Sequence, residues 1–166
     1  MLLVSDTNII IDLETGGLVD ELLALDEDVG VPDVLFHEEL AAQHSYLEQA
    51  GLGVLPLEGK TMMRAFQLAG RYQKPSRNDL MAMALAEQER GVLLTGDQDL
   101  RRAAETEHVP VHGTIWVIGK MIDSALITPE RANAAYEAMY HDGRRLPWAE
   151  VRRQLREYGV APTVGN

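Results

Sequence analysis

Short apolar runs alternate with longer segments of helical spacing in the first 112 residues. Runs such as MLLVS at 1–5 and VLLT at 92–95 are too short for buried helices, and they predict strands. Similar short runs lie at 29–32, 54–57 and 109–111. Helical spacing fills 7–14, 18–25, 33–47, 60–72, a stretch from 78 or 79, and 97–107. This alternation predicts an α/β fold, a parallel sheet of about five strands flanked by helices on both faces.

After His112 the pattern is helical only. Three amphipathic segments follow, at 114–125, 129–140 and 147–158, and Pro129 and Pro147 suit the first turns of the last two. No low-complexity linker separates this tail from the rest of the chain. We therefore expect one domain over 1–166, with an α/β core at 1–112 and a helical extension at 113–166 packed on it.

Helix boundaries are predicted from polar caps and prolines. Asp33 and Asp97 are predicted N-caps, because a short side-chain oxygen there accepts a hydrogen bond from the first helical turn. Pro75 breaks one helix, and the next is predicted to begin at Asn78 or Asp79.

Composition excludes several kinds of chemistry. The chain has 166 residues and no cysteine, so disulfides, thiolate metal sites and a cysteine nucleophile are excluded. The segment MLLVSDTN has no basic leader, and Asp6 interrupts its apolar run. We therefore expect neither a signal peptide nor a membrane span, and a cytoplasmic protein.

The net charge of −11 is unevenly distributed. Residues 1–99 hold 18 acidic and six basic side chains, whereas 100–166 hold eight and nine. Within the acidic part, residues 59–78 contain no acid. Their five cations are Lys60, Arg64, Arg71, Lys74 and Arg77. This basic segment is either a solvated helix face or a surface that steers an anionic substrate.

Carboxylates recur where predicted strands end. Asp6 follows the first strand, Asp97 follows the fourth with Asp99 two residues on, and Asp79 lies at a helix start. The pair at 38 and 39 lies in the helix after the second strand. Each acid alone is an ordinary cap or surface residue, but parallel strands bring their carboxyl ends to one edge of the sheet.

Several acids at one edge call for a cation. Carboxylates within a few ångströms raise one another's pKa, and a bound cation relieves that repulsion. An all-oxygen set favours Mg²⁺ or Mn²⁺ over zinc, and the oxygens do not decide between the two. Thr7, Asn8 and Thr95 flank the acids, where they either orient a carboxylate or a metal-bound water, or cap helices. The five histidines are interpreted as structural or surface residues.

Four segments together resemble the PIN-domain family, the nuclease fold of VapC-type toxins. They are SDTN (5–8), VPDVLFHEEL (31–40), SRNDLMAMALA (76–86) and LLTGDQDL (93–100), in the order and spacing of the family. The resemblance covers about residues 1–112. It implies a three-layer α/β fold and a Mg²⁺- or Mn²⁺-dependent endoribonuclease site. The helical tail is similar to that of a prokaryotic branch of PIN proteins and exceeds what the compact toxins have.

The resemblance also implies roles for individual residues. Asp6, Asp79 and Asp97 match the first, third and fourth acids of the family, with Asp99 auxiliary. The second acid stands before a leucine in the family, which matches Glu39, and Glu38 stays its rival.

RNA is the implied substrate, with an antitoxin protein as a partner and a homodimer as the assembly. The candidates to follow the RNA backbone are Arg64, Arg71, Lys74 and Arg77. Phe66 or Tyr72 is a candidate to stack an unpaired base, with a place in the core or an interface as the alternative.

Two other functions remain as alternatives. One is a non-catalytic PIN-like module that binds partners or serves as a scaffold. The other is a receiver-like domain in which Asp6 accepts a phosphoryl group, although such a domain expects paired acids at the first strand end and a lysine after the fifth strand. A haloacid-dehalogenase-type phosphatase would need an acid where Asn8 stands.

Overall fold

The computed structural model describes residues 1–165, and its centre is a five-stranded sheet in which every neighbouring pair is parallel. The strands are β1 (Leu2–Ser5), β2 (Asp28–Pro32), β3 (Gly53–Leu55), β4 (Val92–Leu94) and β5 (Val111–His112). Their order is β3-β2-β1-β4-β5, so β1 is central. The predicted α/β fold with five parallel strands is confirmed.

Helices connect and follow the strands. They are α1 (Thr7–Thr15), α2 (Val19–Leu23), α3 (Asp33–Leu35), α4 (Ala41–His44), α5 (Tyr46–Ala50), α6 (Gly59–Arg71), α7 (Arg77–Gln88), α8 (Gln98–Thr106), α9 (Thr114–Asp123), α10 (Pro129–His141) and α11 (Trp148–Glu157). A π turn over Phe36–Leu40 lies between α3 and α4. None of the helices in residues 1–165 is long and apolar enough to cross a bilayer.

The segment predicted as one helix over 33–47 is interrupted. The backbone N–H of Ala41 bonds to the carbonyl of Phe36, five residues earlier, which widens the turn. Phe36, Leu40 and Leu47 are nevertheless buried as their spacing predicts. Apolar spacing fixes which side is buried, and it does not distinguish an α turn from a π turn.

Three helix starts differ from the predictions. Ser76 is the N-cap of α7, so this helix begins earlier than Asn78. Pro32 rather than Asp33 is the N-cap of α3, and Pro147 is the N-cap of α11 instead of a first-turn residue. In each case the helical dihedral angles begin one or two residues away from the residue that the sequence favours, a shift that local propensity does not resolve.

The chain divides into two compact units. The first comprises residues 1–8 and 27–112, and it holds the sheet with α3 to α8. Seven consecutive residues of α7, from Leu80 to Ala86, are buried, because this helix packs against β1, β2 and β4. The buried middle of α7 thereby anchors this helix, whereas its first three residues, 77–79, stay partly or fully exposed.

The second unit comprises residues 9–26 and the chain from Gly113 onward. Its core includes the fully buried Tyr136, whose hydroxyl donates to Gln154 Oε1 at 2.5 Å. A Cβ on Gly16 would lie 2.8 Å from Met139 Cε, so glycine permits the close approach of α10. Grouping 9–26 with the helical extension differs from the predicted division at residue 112.

Candidate active site

Asp6 and Asp97 are joined through the hydroxyl of Thr95. The central strands β1 and β4 are neighbours, and Asp6 and Thr95 are the first residues after them. Thr95 Oγ1 donates to Asp6 Oδ2 at 2.5 Å and accepts the backbone N–H of Asp97 at 3.0 Å. Asp6 is 2% exposed, and Thr95 is fully buried. This contact positions the first and fourth acids at the same edge of the sheet.

Asp97 is the predicted N-cap of α8. Its Oδ1 accepts the backbone N–H of Leu100 at 2.8 Å. The residue is exposed. Asp99, in the first turn of α8, instead forms an ion pair with Arg102 at 3.3 Å.

Glu38 and Glu39 both lie in the π turn and share one partner. Asn78 Nδ2 donates to Glu38 Oε2 and to Glu39 Oε2, each at 2.9 Å. Thr7 Oγ1 donates to Glu39 Oε1 at 3.1 Å. Glu38 Oε1 instead lies 3.8 Å from a guanidinium nitrogen of Arg77. Glu39 is thus held on both oxygens by the first turns of α1 and α7, which favours it over Glu38 as the second acid.

Asp79 experiences the charges of two other acids. It forms a capping box with Ser76, whose Oγ accepts the N–H of Asp79 at 3.1 Å. Burial raises the pKa of Asp79 above its ordinary value, and the Asp97 and Glu39 carboxylates raise it further. The hydrogen bonds with Ser76 act in the opposite direction. Asp79 therefore belongs to the same electrostatic cluster as Asp97 and Glu39.

The acids share an edge without forming a ready metal site. Within residues 1–165, no group of three or more His, Cys, Asp or Glu side chains is arranged to hold a metal ion. Each carboxylate has a local partner instead: Thr95 for Asp6, Asn78 for Glu39, Ser76 for Asp79 and Leu100 for Asp97. The acids therefore lie at one edge of the sheet and affect one another's charge, but their side chains do not meet at one point. They would have to reorient to share one ion.

The donor set nevertheless suits a hard divalent cation. All the side-chain groups at this edge offer oxygen, the ligand that Mg²⁺ and Mn²⁺ prefer. Asn78 Oδ1 adds a buried acceptor that has no hydrogen-bond donor among the described residues. Burial is the main cause of the raised pKa of Asp79, and a cation would relieve the smaller part that comes from the Asp97 and Glu39 carboxylates.

Two residues support the acids beyond those that the sequence predicts. Asn78, which the sequence predicts only as a helix start, bridges the two glutamates. Ser76 caps α7, and Ser-x-x-Asp at 76–79 is the local signal for it, because it has the spacing of a capping box. Thr7 Oγ1 donates to Glu39, and Thr95 Oγ1 donates to Asp6. Asn8 lies exposed in the first turn of α1.

The basic segment contains cations of two kinds. Arg64 donates to both carboxylate oxygens of Glu87, at 2.7 and 2.9 Å, and its side chain is only 26% exposed. Arg71 pairs with Glu107 at 2.7 Å and stays 61% exposed. Lys74 is exposed. Arg64 therefore acts mainly as an internal ion pair, whereas Arg71 and Lys74 remain accessible to an anion.

Comparison with known proteins identifies the family of the fold. The family model DUF3368, described as a PIN domain, matches residues 2–159. No curated protein sequence matches this chain. Among solved structures, the chain is similar to a chain in the crystal structure of VapBC2 from Rickettsia felis bound to a DNA fragment from their promoter. The TM-score is 0.51 at 16% identity, over 68% of this chain and 98% of that one.

Proposed function

Since the chain belongs to the PIN-domain family, we propose that it is a divalent-metal-dependent endoribonuclease that hydrolyses RNA phosphodiesters at the acidic edge of its sheet. The observation that carries this proposal is the shared environment of Asp6, Glu39, Asp79 and Asp97. Asp6 and Asp97 meet through Thr95, and the pKa of Asp79 is raised mainly by burial and further by the Asp97 and Glu39 carboxylates. If these acids served only as helix caps, they would have no reason to lie close enough to repel one another, whereas carboxylates of a functional site do.

The residues divide into metal holders and supports. In the proposal Asp6 and Asp97 hold Mg²⁺ or Mn²⁺, and Glu39, Asp79 and Asp99 complete the oxygen set directly or through water. The ion would lower the pKa of the attacking water and neutralise charge on the phosphodiester. Thr95 and Asn78 orient the carboxylates, because each donates to a carboxylate oxygen of the set.

Substrate binding also depends on neutralising this edge. Four ionised carboxylates repel a phosphodiester at short range. RNA binding therefore requires either the cation or exposed cations of the basic segment, among which Arg71, Lys74 and Arg77 are accessible. A side-chain nucleophile is not needed in this scheme, since water attacks the phosphorus.

We extend the proposal to the partners of the chain. The similar Rickettsia felis structure is an assembly that also contains promoter DNA. By analogy, we propose that this protein acts as the toxin of a toxin–antitoxin pair, as a homodimer in the cytoplasm, with an antitoxin protein that inhibits it.

A cleavage assay tests the nuclease function. Mixed RNA is incubated with wild type, Asp6→Asn or Asp97→Asn in Mn²⁺, Mg²⁺ or EDTA. Asp26→Asn, an exposed aspartate outside this edge, is the matched control. We expect cleavage by wild type and the control only with metal, and losses of at least about 100-fold in both site variants. Cleavage that persists in EDTA and in both variants would refute the metal site. Intact RNA under every condition would favour the non-catalytic binding module.

A further inference from the structure

Two pockets lie on either side of the segment 72–75. One, the apolar pocket, has a volume of about 330 Å³ and lies between α6 and α7, where Met62, Phe66 and Leu80 line it. The other, the cationic pocket, has a volume of about 260 Å³ and is lined by Arg71, Lys74 and Arg102. Tyr72, Gln73 and Pro75 line both. The two pockets therefore share one wall.

The cationic pocket carries a local excess of positive charge in an acidic chain. Its lining contains three cations and one acid, Asp99. Arg102 pairs with Asp99 at 3.3 Å, and the two side chains are 71% and 37% exposed, so this contact is weak and exchangeable. Glu107 pairs with Arg71 at 2.7 Å and also with Arg64 at 3.4 Å, so one carboxylate serves two guanidinium groups. The pocket suits a phosphate.

The apolar pocket presents an aromatic side chain to solvent. Phe66 is 62% exposed, although most large apolar side chains of this unit are buried. The hydroxyl of Tyr72 donates to Glu107 Oε1 at 3.2 Å, which fixes this ring at the wall between the pockets. An aromatic pocket next to a cationic one matches the two parts of a nucleotide, a flat base and an anionic phosphate.

Both pockets border the acidic edge. Arg77 lines the apolar pocket, and its guanidinium lies 3.8 Å from Glu38 Oε1. Asp99 lines the cationic pocket, two residues after Asp97. Pro75 lines both and immediately precedes Ser76, the cap of the helix that carries Asp79. Residues of both pockets therefore lie next to residues of the acidic edge.

We propose that the paired pockets bind one nucleotide of single-stranded RNA, with the base against Phe66 and Tyr72 and the phosphate against Arg71, Lys74 and Arg102. This inference rests on the proposed function, and it specifies the class of RNA. A base in a duplex is paired and stacked, so it cannot enter the apolar pocket, whereas an unpaired base can. A second copy of the chain or a peptide would fill an apolar groove, but neither explains the adjoining cationic pocket.

Binding is measured apart from cleavage. A short, fluorescently labelled single-stranded RNA of mixed sequence is titrated with the Asp97→Asn protein in Mg²⁺ and read by fluorescence anisotropy. In this background Arg102→Gln and Phe66→Ala test the two pockets. Their matched controls are Arg153→Gln, an exposed arginine of α11, and Met63→Ala, which is 61% exposed on the same helix as Phe66 and does not line the apolar pocket.

The two pockets have different expected signatures. Arg102→Gln should weaken binding and lower the slope of log affinity against log salt by about 0.7. Phe66→Ala should weaken binding by about 5- to 100-fold and leave that slope unchanged. Both controls should bind as the parent does, and a blunt duplex of the same sequence should compete poorly.

Three results would overturn the inference: no RNA binding by the parent, equal effects of each variant and its control, or equal competition by the duplex. A change in oligomeric state on Phe66→Ala with unchanged RNA affinity would assign the apolar pocket to a second copy and also refute it. The cleavage assay on the wild type is separate from this readout. RNA that binds in this pattern and is not cleaved would reject the nuclease function alone.

Discussion

Asp12 and the acids at the sheet edge show two ways of handling carboxylates inside a protein. Asp12, in the second unit, is 7% exposed and is bound by Arg144 Nε at 2.6 Å and Thr114 Oγ1 at 3.0 Å. At the sheet edge, in the first unit, the pKa of Asp79 is raised by burial and by two neighbouring carboxylates. In the first arrangement a cation compensates the buried carboxylate and stabilises the fold. In the second the carboxylates still repel one another, as expected of a site that binds a cation.

Arg144→Ala is the strongest way to test the stabilising half of this comparison. It leaves the buried Asp12 carboxylate without its guanidinium partner, and burial already raises the pKa of Asp12. We expect a loss of about 3 kcal/mol in the free energy of unfolding, measured in urea at neutral pH. Arg145→Ala, which removes the exposed neighbouring arginine, should change it by less than about 0.5 kcal/mol. Similar effects of the two variants would contradict a compensating role for Arg144.

Thr95→Val tests the contact that joins Asp6 to Asp97. Valine has nearly the shape of threonine, but it can neither donate to Asp6 nor accept from the Asp97 N–H. The free energy of unfolding, measured in urea, should fall by about 1–3 kcal/mol, and RNA cleavage should be lost. Thr95→Ser keeps the hydroxyl and should restore cleavage. If valine and serine variants cleave equally well, the hydroxyl does not position the acids.

Asp97→Asn tests the repulsion at the sheet edge with the smallest expected effect on stability. Asparagine preserves the N-cap of α8, and removal of the charge relieves Asp79. At neutral pH the variant should be as stable as wild type or more stable by about 0.5 kcal/mol, because the charge is exposed and screened.

The pH dependence of this gain has a definite sign. A carboxyl whose pKa is raised by folding destabilises the folded state once pH exceeds its unfolded value, 3.8 for Asp79, and the full effect is reached above the folded pKa. The advantage of Asp97→Asn should therefore vanish as pH falls below about 4. Urea unfolding across pH measures it. If the variant is less stable than wild type at neutral pH, the charge of Asp97 stabilises the fold by more than its repulsion of Asp79 destabilises it.

Much of the fold follows from the sequence because its signals are local. All residues of β4 and three of the four residues of β1 are buried, and the prediction that Asp97 caps α8 needs only its own first turn. The edge location of Asp6 and Asp97 follows from parallel pairing alone. These elements are specified by neighbours within a few residues, so periodicity suffices.

The remaining features depend on contacts between distant segments. The π turn that carries Glu38 and Glu39 changes a hydrogen-bond ring without changing the apolar spacing. The bridge from Asn78 joins residues 39 and 40 positions apart. Arg102 enters the cationic pocket only because α8 lies beside the segment 72–75. No local pattern encodes these contacts, and the same holds for the grouping of 9–26 with the helical extension.

The most direct test of the central claim is the effect of Mn²⁺ on the thermal unfolding of wild type, Asp6→Asn and Asp97→Asn. Mn²⁺ bound at the sheet edge would bind the folded protein only. The free energy of unfolding of wild type should therefore rise by about 2.7 kcal/mol at a Mn²⁺ concentration 100 times the dissociation constant, which is seen as a rise in Tm. Both variants should lose most of this rise. An equal rise in all three proteins, or none in wild type, would contradict a cation site built from these carboxylates.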